Sequence, residues 1–324
     1  MKSNAGRRPP DRTAIGIACV LGAVLAFSSS SSVVKWADAP GSVVAFWRMI
    51  GAVVLWWIVI GGRRAITGRP VPSADTWRRV VPAGLFFGLN ITLFFTAIHH
   101  TSIAHAEFIA ALSPLLLVPA GAMFFGERPN PRALAWGSVS IIGLAIVLGF
   151  GGNQGGASIG GDALMLVVVF TWVGYLLTSR RARARVDVVD FMSTVMPIGL
   201  LTAAPLALLL DGDELWPLSV NAWFAVALLS VLTGMLAHGL IVTAQRDVDV
   251  ATIGILQVSQ PALAVAWSYL LLGEEIRLGQ VPGMVLVLVG LAAFTFMMRP
   301  PKALERPACR TGSPPLNDAT GPRR

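Results

Sequence analysis

The sequence predicts an all-α membrane protein, ten transmembrane helices arranged as two inverted five-helix repeats. Three observations carry that prediction. Residues 101–145 return 147 positions later as 248–292, without a gap: Ala104 falls on Ala251, Pro114 on Pro261, Leu116 on Leu263, Val118 on Val265, Gly126-Glu127 on Gly273-Glu274 and Gly143-Leu144-Ala145 on Gly290-Leu291-Ala292. Nine identities in 45 mostly apolar positions are few, yet Pro, Gly-Glu and Gly recur at identical intervals, as an internal repeat requires. Each copy holds two apolar runs of about 20 residues, enough at about 1.5 Å per residue to cross a hydrocarbon core of about 30 Å. Third, the basic residues are distributed almost entirely to alternate connections between the runs.

Composition agrees. The chain is 55% hydrophobic and 13% charged over 324 residues, with a mean hydropathy of +0.69, far from the balance of a soluble domain. Its two cysteines, Cys19 and Cys309, provide neither a disulfide framework nor a metal-ligand cluster. A net charge of +8 would suggest nucleic acid only if the basic residues formed one folded face. They are scattered among loops, so no nucleic-acid partner is expected.

Residues 1–13 are polar and basic, and the run at about 14–34 reads as a signal anchor, being long and followed directly by further spans. Further spans are expected at about 41–60, 81–98, 103–125 and 133–150. Gly151 to Gly156 holds four glycines around Asn153-Gln154 and reads as a flexible linker near the midpoint. The second half repeats the count at about 163–179, 191–210, 223–243, 250–272 and 279–298. The domain boundaries are therefore an N-terminal segment 1–13, a first repeat 14–150, a linker 151–160, a second repeat 161–298 and a tail 299–324. The tail carries six prolines in 26 residues and is expected to be disordered.

Orientation follows from the loops. With the N-terminus placed inside, 22 Lys and Arg fall inside and only Lys35 and Arg277 outside, Arg48 lying within a span. Both termini are thus expected in the cytoplasm, and Gly152 and Asp213 outside. The cluster Arg180, Arg181, Arg183, Arg185 reads as an orientation signal that also meets anionic lipid. Five spans per half oblige the second half to enter from the opposite side, so the repeat is inverted. In transporters of that plan the solute site lies near the midplane where the halves meet.

These residues also carry a family resemblance. Thr101-Ser102-Ile103-Ala104, Leu112-Ser113-Pro114-Leu115, Gly126-Glu127-Arg128, Trp136-Gly137 and Gly143 resemble the EamA domain of the drug/metabolite transporter superfamily. So do Ala251, Gln260-Pro261 and Leu272-Gly273-Glu274-Glu275, and Phe46-Trp47-Arg48 is similar to the family's second span. The resemblance covers residues 14–298. It implies ten helices, both termini cytoplasmic, and export or uptake of small organic solutes. The chain departs from the family's small residues at His105 and Glu107.

Pro114 and Pro261 are expected to kink spans four and nine, freeing the carbonyls of Ala110 and Gln257, either to line a cavity or merely to shape packing. Gly126-Glu127 and Gly273-Glu274 read first as helix-ending caps. Gly84 and Gly88 form a small-residue face suited to close packing within the monomer, with dimerisation as the alternative. Ser28 to Ser32 point all round the first span, toward the solute or back to their own helix backbone. Candidate solute-binding residues are Arg48, Asn90, His105, Glu107, Trp172, Tyr175, His238, Gln257 and Gln260, with interhelix hydrogen bonding or packing as the competing role. Arg48 and Glu107 lie about 10 and 9 Å from the outer ends of their spans at 1.5 Å per residue. Their matched depths make each the obvious partner for the other, with Glu107 the candidate proton or cation site; the alternative leaves each near an interface.

A channel would need rings of polar residues or a filter loop, and an enzyme convergent nucleophile, base or metal ligands; neither pattern is present. No P-loop occurs and no cofactor is expected. The sequence thus predicts a secondary transporter exporting small organic metabolites across the cytoplasmic membrane by alternating access; a facilitated-diffusion channel or an uptake permease for a small polar solute is the alternative. Proton coupling and exchange for a counter-solute are both compatible with it.

Overall fold

A computed structural model describes residues 12–125, 131–151, 156–244 and 256–297. The N-terminal segment, Glu127, Gly152, the start of the expected ninth span and the tail lie outside the described residues.

The described chain is built from helices whose ends follow local chemistry. Helix α1 (Arg12–Ser28) and α2 (Ser30–Trp36) make the first span, interrupted at Ser29. Next come α3 (Gly41–Thr67) and α4 (Ala74–His99). Gly68 closes α3 in the left-handed conformation, φ 69°, with its N–H on the Arg64 carbonyl. Ser73 starts α4 by accepting the Thr76 N–H. Span four is two pieces, α5 (Ile103–Ala110) and α6 (Ser113–Phe125). Then follow α7 (Pro131–Gly151), α8 (Ile159–Arg183) and α9 (Val188–Asp211). Span eight consists of α10 (Val220–Val231), a π-helical turn (Leu232–Ala237) and α11 (His238–Ala244). Helices α12 (Gln260–Leu272) and α13 (Val281–Met297) complete the described chain. Ser102, Ser158, Asp187 and Ser219 cap α5, α8, α9 and α10 by accepting N–H groups of their first turns.

Among the described residues eight spans are long and apolar enough to cross a membrane, and Ile103–Leu116 and Gln260–Leu272 are shorter apolar helices. Three helices outrun the apolar stretches expected from the sequence. Helix α3 runs on through Arg63 and Arg64, α4 already contains Arg78 and Arg79, and α8 begins before Asp162 and carries Arg180, Arg181 and Arg183. Helices stop where caps stop them, whereas the apolar run marks only the part that needs hydrocarbon.

The two copies meet antiparallel. A Cβ on Gly143 of α7 would stand 2.7 Å from the Gly283 carbonyl and 2.7 Å from the Val287 nitrogen of α13. A Cβ on Gly290, its counterpart 147 residues on, would stand 2.9 Å from the Trp136 carbonyl and 2.9 Å from the Ser140 nitrogen. Trp136 and Ser140 are the counterparts of Gly283 and Val287. The contacts are therefore equivalent under exchange of the copies, while the numbering rises on one helix as it falls on the other. A two-fold axis along the helices would leave them parallel, so the axis lies across them, in the membrane plane, and the repeat is inverted.

Elsewhere α3 packs on α9, α4 on α8 and α9, and α1 on α11 and the π turn. Gly88 lets α4 approach so closely that a Cβ would fall 2.1 Å from the Gly199 carbonyl, and Gly84 faces Ile198. This small-residue face serves packing inside the monomer. Outward positions such as Ile58, Phe170, Leu201 and Leu209 are exposed apolar side chains, the perimeter that lipid covers.

Candidate functional site: a polar layer at the helix breaks

Regular helix is lost near the middle of four spans: at Ser29, at residues 111–112, at the Leu232–Ala237 π turn and at residues 258–259. The breaks at 111–112 and 258–259 are again 147 apart. Each lies just ahead of its proline, so Pro114 and Pro261 do not kink continuous helices; they sit in the first turns of α6 and α12. Proline disfavours helical backbone in the residue before it, and its missing N–H costs nothing in a first turn. Nor is the Ala110 carbonyl freed toward a cavity, since the Ser113 hydroxyl donates to it. Irregular backbone at membrane depth is tolerated only within protein or against a cavity.

The breaks bring polar side chains together. The buried Glu107 carboxylate on α5 accepts from the Ser31 hydroxyl of α2, and the side chain of Gln260, first residue of α12, stands beside the same carboxylate. Both partners are neutral. Of the five serines, Ser28 and Ser29 bond back to the carbonyls of Leu25 and Ala26 at 2.9 and 3.0 Å, while Ser31 reaches across the bundle. The helix break at Ser29 separates those two behaviours.

Arg48 has a different neighbourhood. It is 1% exposed, donates to the Thr233 hydroxyl of the π turn at 3.2 Å and to the Met49 sulfur at 3.7 Å, and lies 5.9 Å from the Phe95 ring centroid. Its Nε has no hydrogen-bond partner. No ion pair joins Arg48 to Glu107, contrary to the expectation from matched depth. Depth sets how far along a helix a residue lies, but azimuth sets what it meets: Arg48 faces span eight, Glu107 spans one and nine.

His238, just after the π turn, hydrogen-bonds the Thr233 carbonyl through Nδ1 at 2.6 Å and stacks edge-on with Phe27 at 5.1 Å and Phe87 at 6.1 Å. Phe87 continues to Tyr175 at 5.1 Å and Tyr175 to Trp172 at 5.2 Å. Three candidates thus fall on one aromatic line crossing spans one, eight, three and six, with His238 beside the Arg48 partner Thr233. Asn90 takes the other role weighed for it: its amide donates to the Val168 carbonyl at 2.8 Å and to Thr171 at 3.0 Å, tying α4 to α8. Gln257 is half-buried in the stub immediately before the break at 258–259.

His105 belongs to a third group, at the Lys35 end of the bundle. Its Nδ1 lies 3.1 Å from Asp162, which also accepts from Thr101. Asp162 stands in the first turn of α8, a second carboxylate within a helical span beside Glu107. Beside this group Lys35 binds Glu274 at 2.6 Å. Neither Lys35 nor Asp162 was singled out from the sequence, since both lie at span ends where charge is ordinary. Among the described residues no cluster of His, Cys, Asp and Glu is placed to hold a metal ion.

The polar layer suits a small organic solute: a carboxylate held by neutral donors, a guanidinium elsewhere in the layer, and aromatic faces between helices. The model of the EamA-like transporter family matches residues 14–149 and again 159–296. The threonine/homoserine exporter RhtA of Salmonella typhimurium is 28% identical over 224 residues, 66% of this chain and 71% of that one. The uncharacterized transporter YdeK of Bacillus subtilis is 27% identical over 66% of this chain and 74% of its own length. The pseudopaline exporter CntI of Pseudomonas aeruginosa is 24% identical over 85% of this chain and 95% of its own. A solved crystal structure superposes with a TM-score of 0.57 at 24% identity, covering 90% of this chain and 98% of the other, a likeness of fold. With a family domain in each half and two interlocking copies about an in-plane axis, this multi-pass membrane protein belongs to the EamA-like transporter family.

Proposed function

We propose that the chain exports a small organic solute bearing an amino group, by alternating access around the layer of helix breaks, with both termini in the cytoplasm. The observation that carries this reading is Glu107, a buried carboxylate at a break in span four whose hydrogen bond comes from Ser31, with the neutral Gln260 side chain beside it. An ionised group inside a membrane costs about 2.5–3.5 kcal/mol on insertion scales, so a site that keeps one without a cationic side chain suits a cation or a proton that comes and goes. An ammonium group supplies three N–H donors to such a carboxylate. Exporters of threonine and homoserine and of pseudopaline among the relatives support the solute class and the direction. The aromatic line from Phe27 through His238 and Tyr175 to Trp172, together with Gln257, forms the remaining wall in this reading.

The test is counterflow in proteoliposomes against neutral amino acids, threonine and homoserine first, with and without a pH gradient. Glu107→Gln is expected to lower the transport rate at least about tenfold, the loss of one charge-assisted contact, and to abolish any dependence on the gradient. Wild-type rates and pH response in folded Glu107→Gln protein would remove Glu107 from the site.

A further inference from the structure

At the Lys35 end of the bundle, Glu274 holds three separate pieces of chain. One carboxylate oxygen binds the Lys35 ammonium at the end of α2 at 2.6 Å. The other accepts the Ile103 N–H, the first of α5, at 3.3 Å and the Ser268 hydroxyl of its own helix α12 at 3.1 Å. The Lys35 ammonium also donates to the Thr101 carbonyl at 3.2 Å. Glu274 belongs to the second copy, whereas Lys35, Thr101 and Ile103 belong to the first. Both charged side chains are mostly buried, at 19% and 14% exposure, yet sit where the bundle meets water. Glu274 itself lines a small cavity at this end, together with Ser102, Ala104, Val265, Ser268 and Gln280. The Asp162 contacts to Thr101 and His105 extend the seam to α8.

A helix cap would need only the Glu274 backbone, and Gly273 already closes α12 in the left-handed conformation, φ 65°. The side chain is turned instead onto the other copy, where rocking of one copy on the other would pull it away. Ile103 and Glu107 are one turn apart on the eight-residue α5, so a displacement at the Glu107 carboxylate is carried to the Ile103 N–H by a rigid segment.

We propose that Lys35 and Glu274 form a latch that closes the Lys35 end of the bundle and releases when the copies rock apart. The proposal rests on the alternating-access reading, with this end placed outside by the charge asymmetry. The latch is a reversible ionic contact between copies, dissolved without covalent change; on release Lys35 keeps the Thr101 carbonyl and Glu274 the Ser268 hydroxyl, each within its own copy, and water replaces the ion pair.

The experiment uses full-length protein with Cys19→Ser and Cys309→Ser and a single reporter, Val265→Cys, on the cavity wall beside the latch. Intact cells are treated with an uncharged, membrane-impermeant maleimide, and Asp213→Cys in parallel reports which face is outside; if that control is silent, the measurement is made on inverted vesicles. Lys35→Gln and Glu274→Gln should each speed reporter labelling by about tenfold, in the range of ordinary conformational coupling. The reversed pair Lys35→Glu with Glu274→Lys should slow it again. With the latch residues intact, raising salt from about 0.1 to about 1 M, which shortens the Debye length from about 10 to about 3 Å, should speed labelling several-fold. Unchanged labelling in either folded single variant overturns the latch. Where the single variants do not fold, a labelling rate indifferent to salt overturns it. Labelling requires no solute, so the exporter reading can fail in counterflow while the latch stands, and the reverse.

Discussion

The Ser140 hydroxyl donates to the Val287 carbonyl at 3.4 Å, and the two residues are 147 positions apart, the interval between the copies. Each is the other's counterpart, so the pseudo-two-fold axis of the molecule passes between them. A residue can touch its own counterpart only on the axis. Around that point the neighbours come in exchanged pairs, Gly143 with Gly283 and Gly290 with Trp136, and α7 and α13 act as the seam between halves.

The seam should be intolerant of added volume. Gly143→Val and Gly283→Val each force a side chain into backbone at 2.7 and 2.6 Å, and overpacking of this kind costs about 1–3 kcal/mol or more. Both should lower the melting temperature followed by fluorescence-detected size exclusion. Gly149→Ala meets nothing within 4 Å and should leave it unchanged.

Topology is checked by thiol labelling in intact cells. Cysteine replacing Asp213, in the short 3-10 turn after α9, should react with an impermeant reagent, and cysteine replacing Thr67, at the far end of α3, should react only after lysis. The reverse pattern would invert the orientation and with it the side on which Lys35 lies.

Because Arg48 and Glu107 occupy separate neighbourhoods, Arg48→Gln and Glu107→Gln should impair transport additively, within about 0.3–0.5 kcal/mol in the logarithm of rate. Arg48→Gln and Thr233→Val, which share one hydrogen bond of 3.2 Å, should not add. A strong interaction energy between Arg48 and Glu107 would restore the pairing that matched depth suggested.

Asn90 and Gln257 should separate stability from transport. Asn90→Leu breaks two buried interhelix bonds, at 2.8 and 3.0 Å, each worth about 0.5–1.5 kcal/mol, and should lower thermal stability while keeping solute preference. Gln257→Leu should leave stability nearly unchanged and alter transport. Identical kinetics for Gln257→Leu and wild type would place Gln257 outside the cavity wall.

By itself the sequence determined the quantities that run along the chain. The 147-residue repeat, the apolar runs and the proline positions all follow from local chemistry and from about 1.5 Å of rise per residue. Two of the four helix breaks had a sequence signal in Pro114 and Pro261, although a proline starting a half-helix looks in sequence like one kinking a whole helix; the break at Ser29 and the π turn had none. Only the tertiary structure decided who faces whom. Arg48 and Glu107 have matching depths, but Arg48 meets Thr233 and Glu107 meets Ser31, 76 residues away. Glu274 resembled a cap until folding carried it to Lys35, 239 residues distant in sequence. Position along a helix is set by covalent geometry, whereas its rotation and neighbours are set by close packing, as at Gly88 against Gly199, and that is a property of the whole bundle.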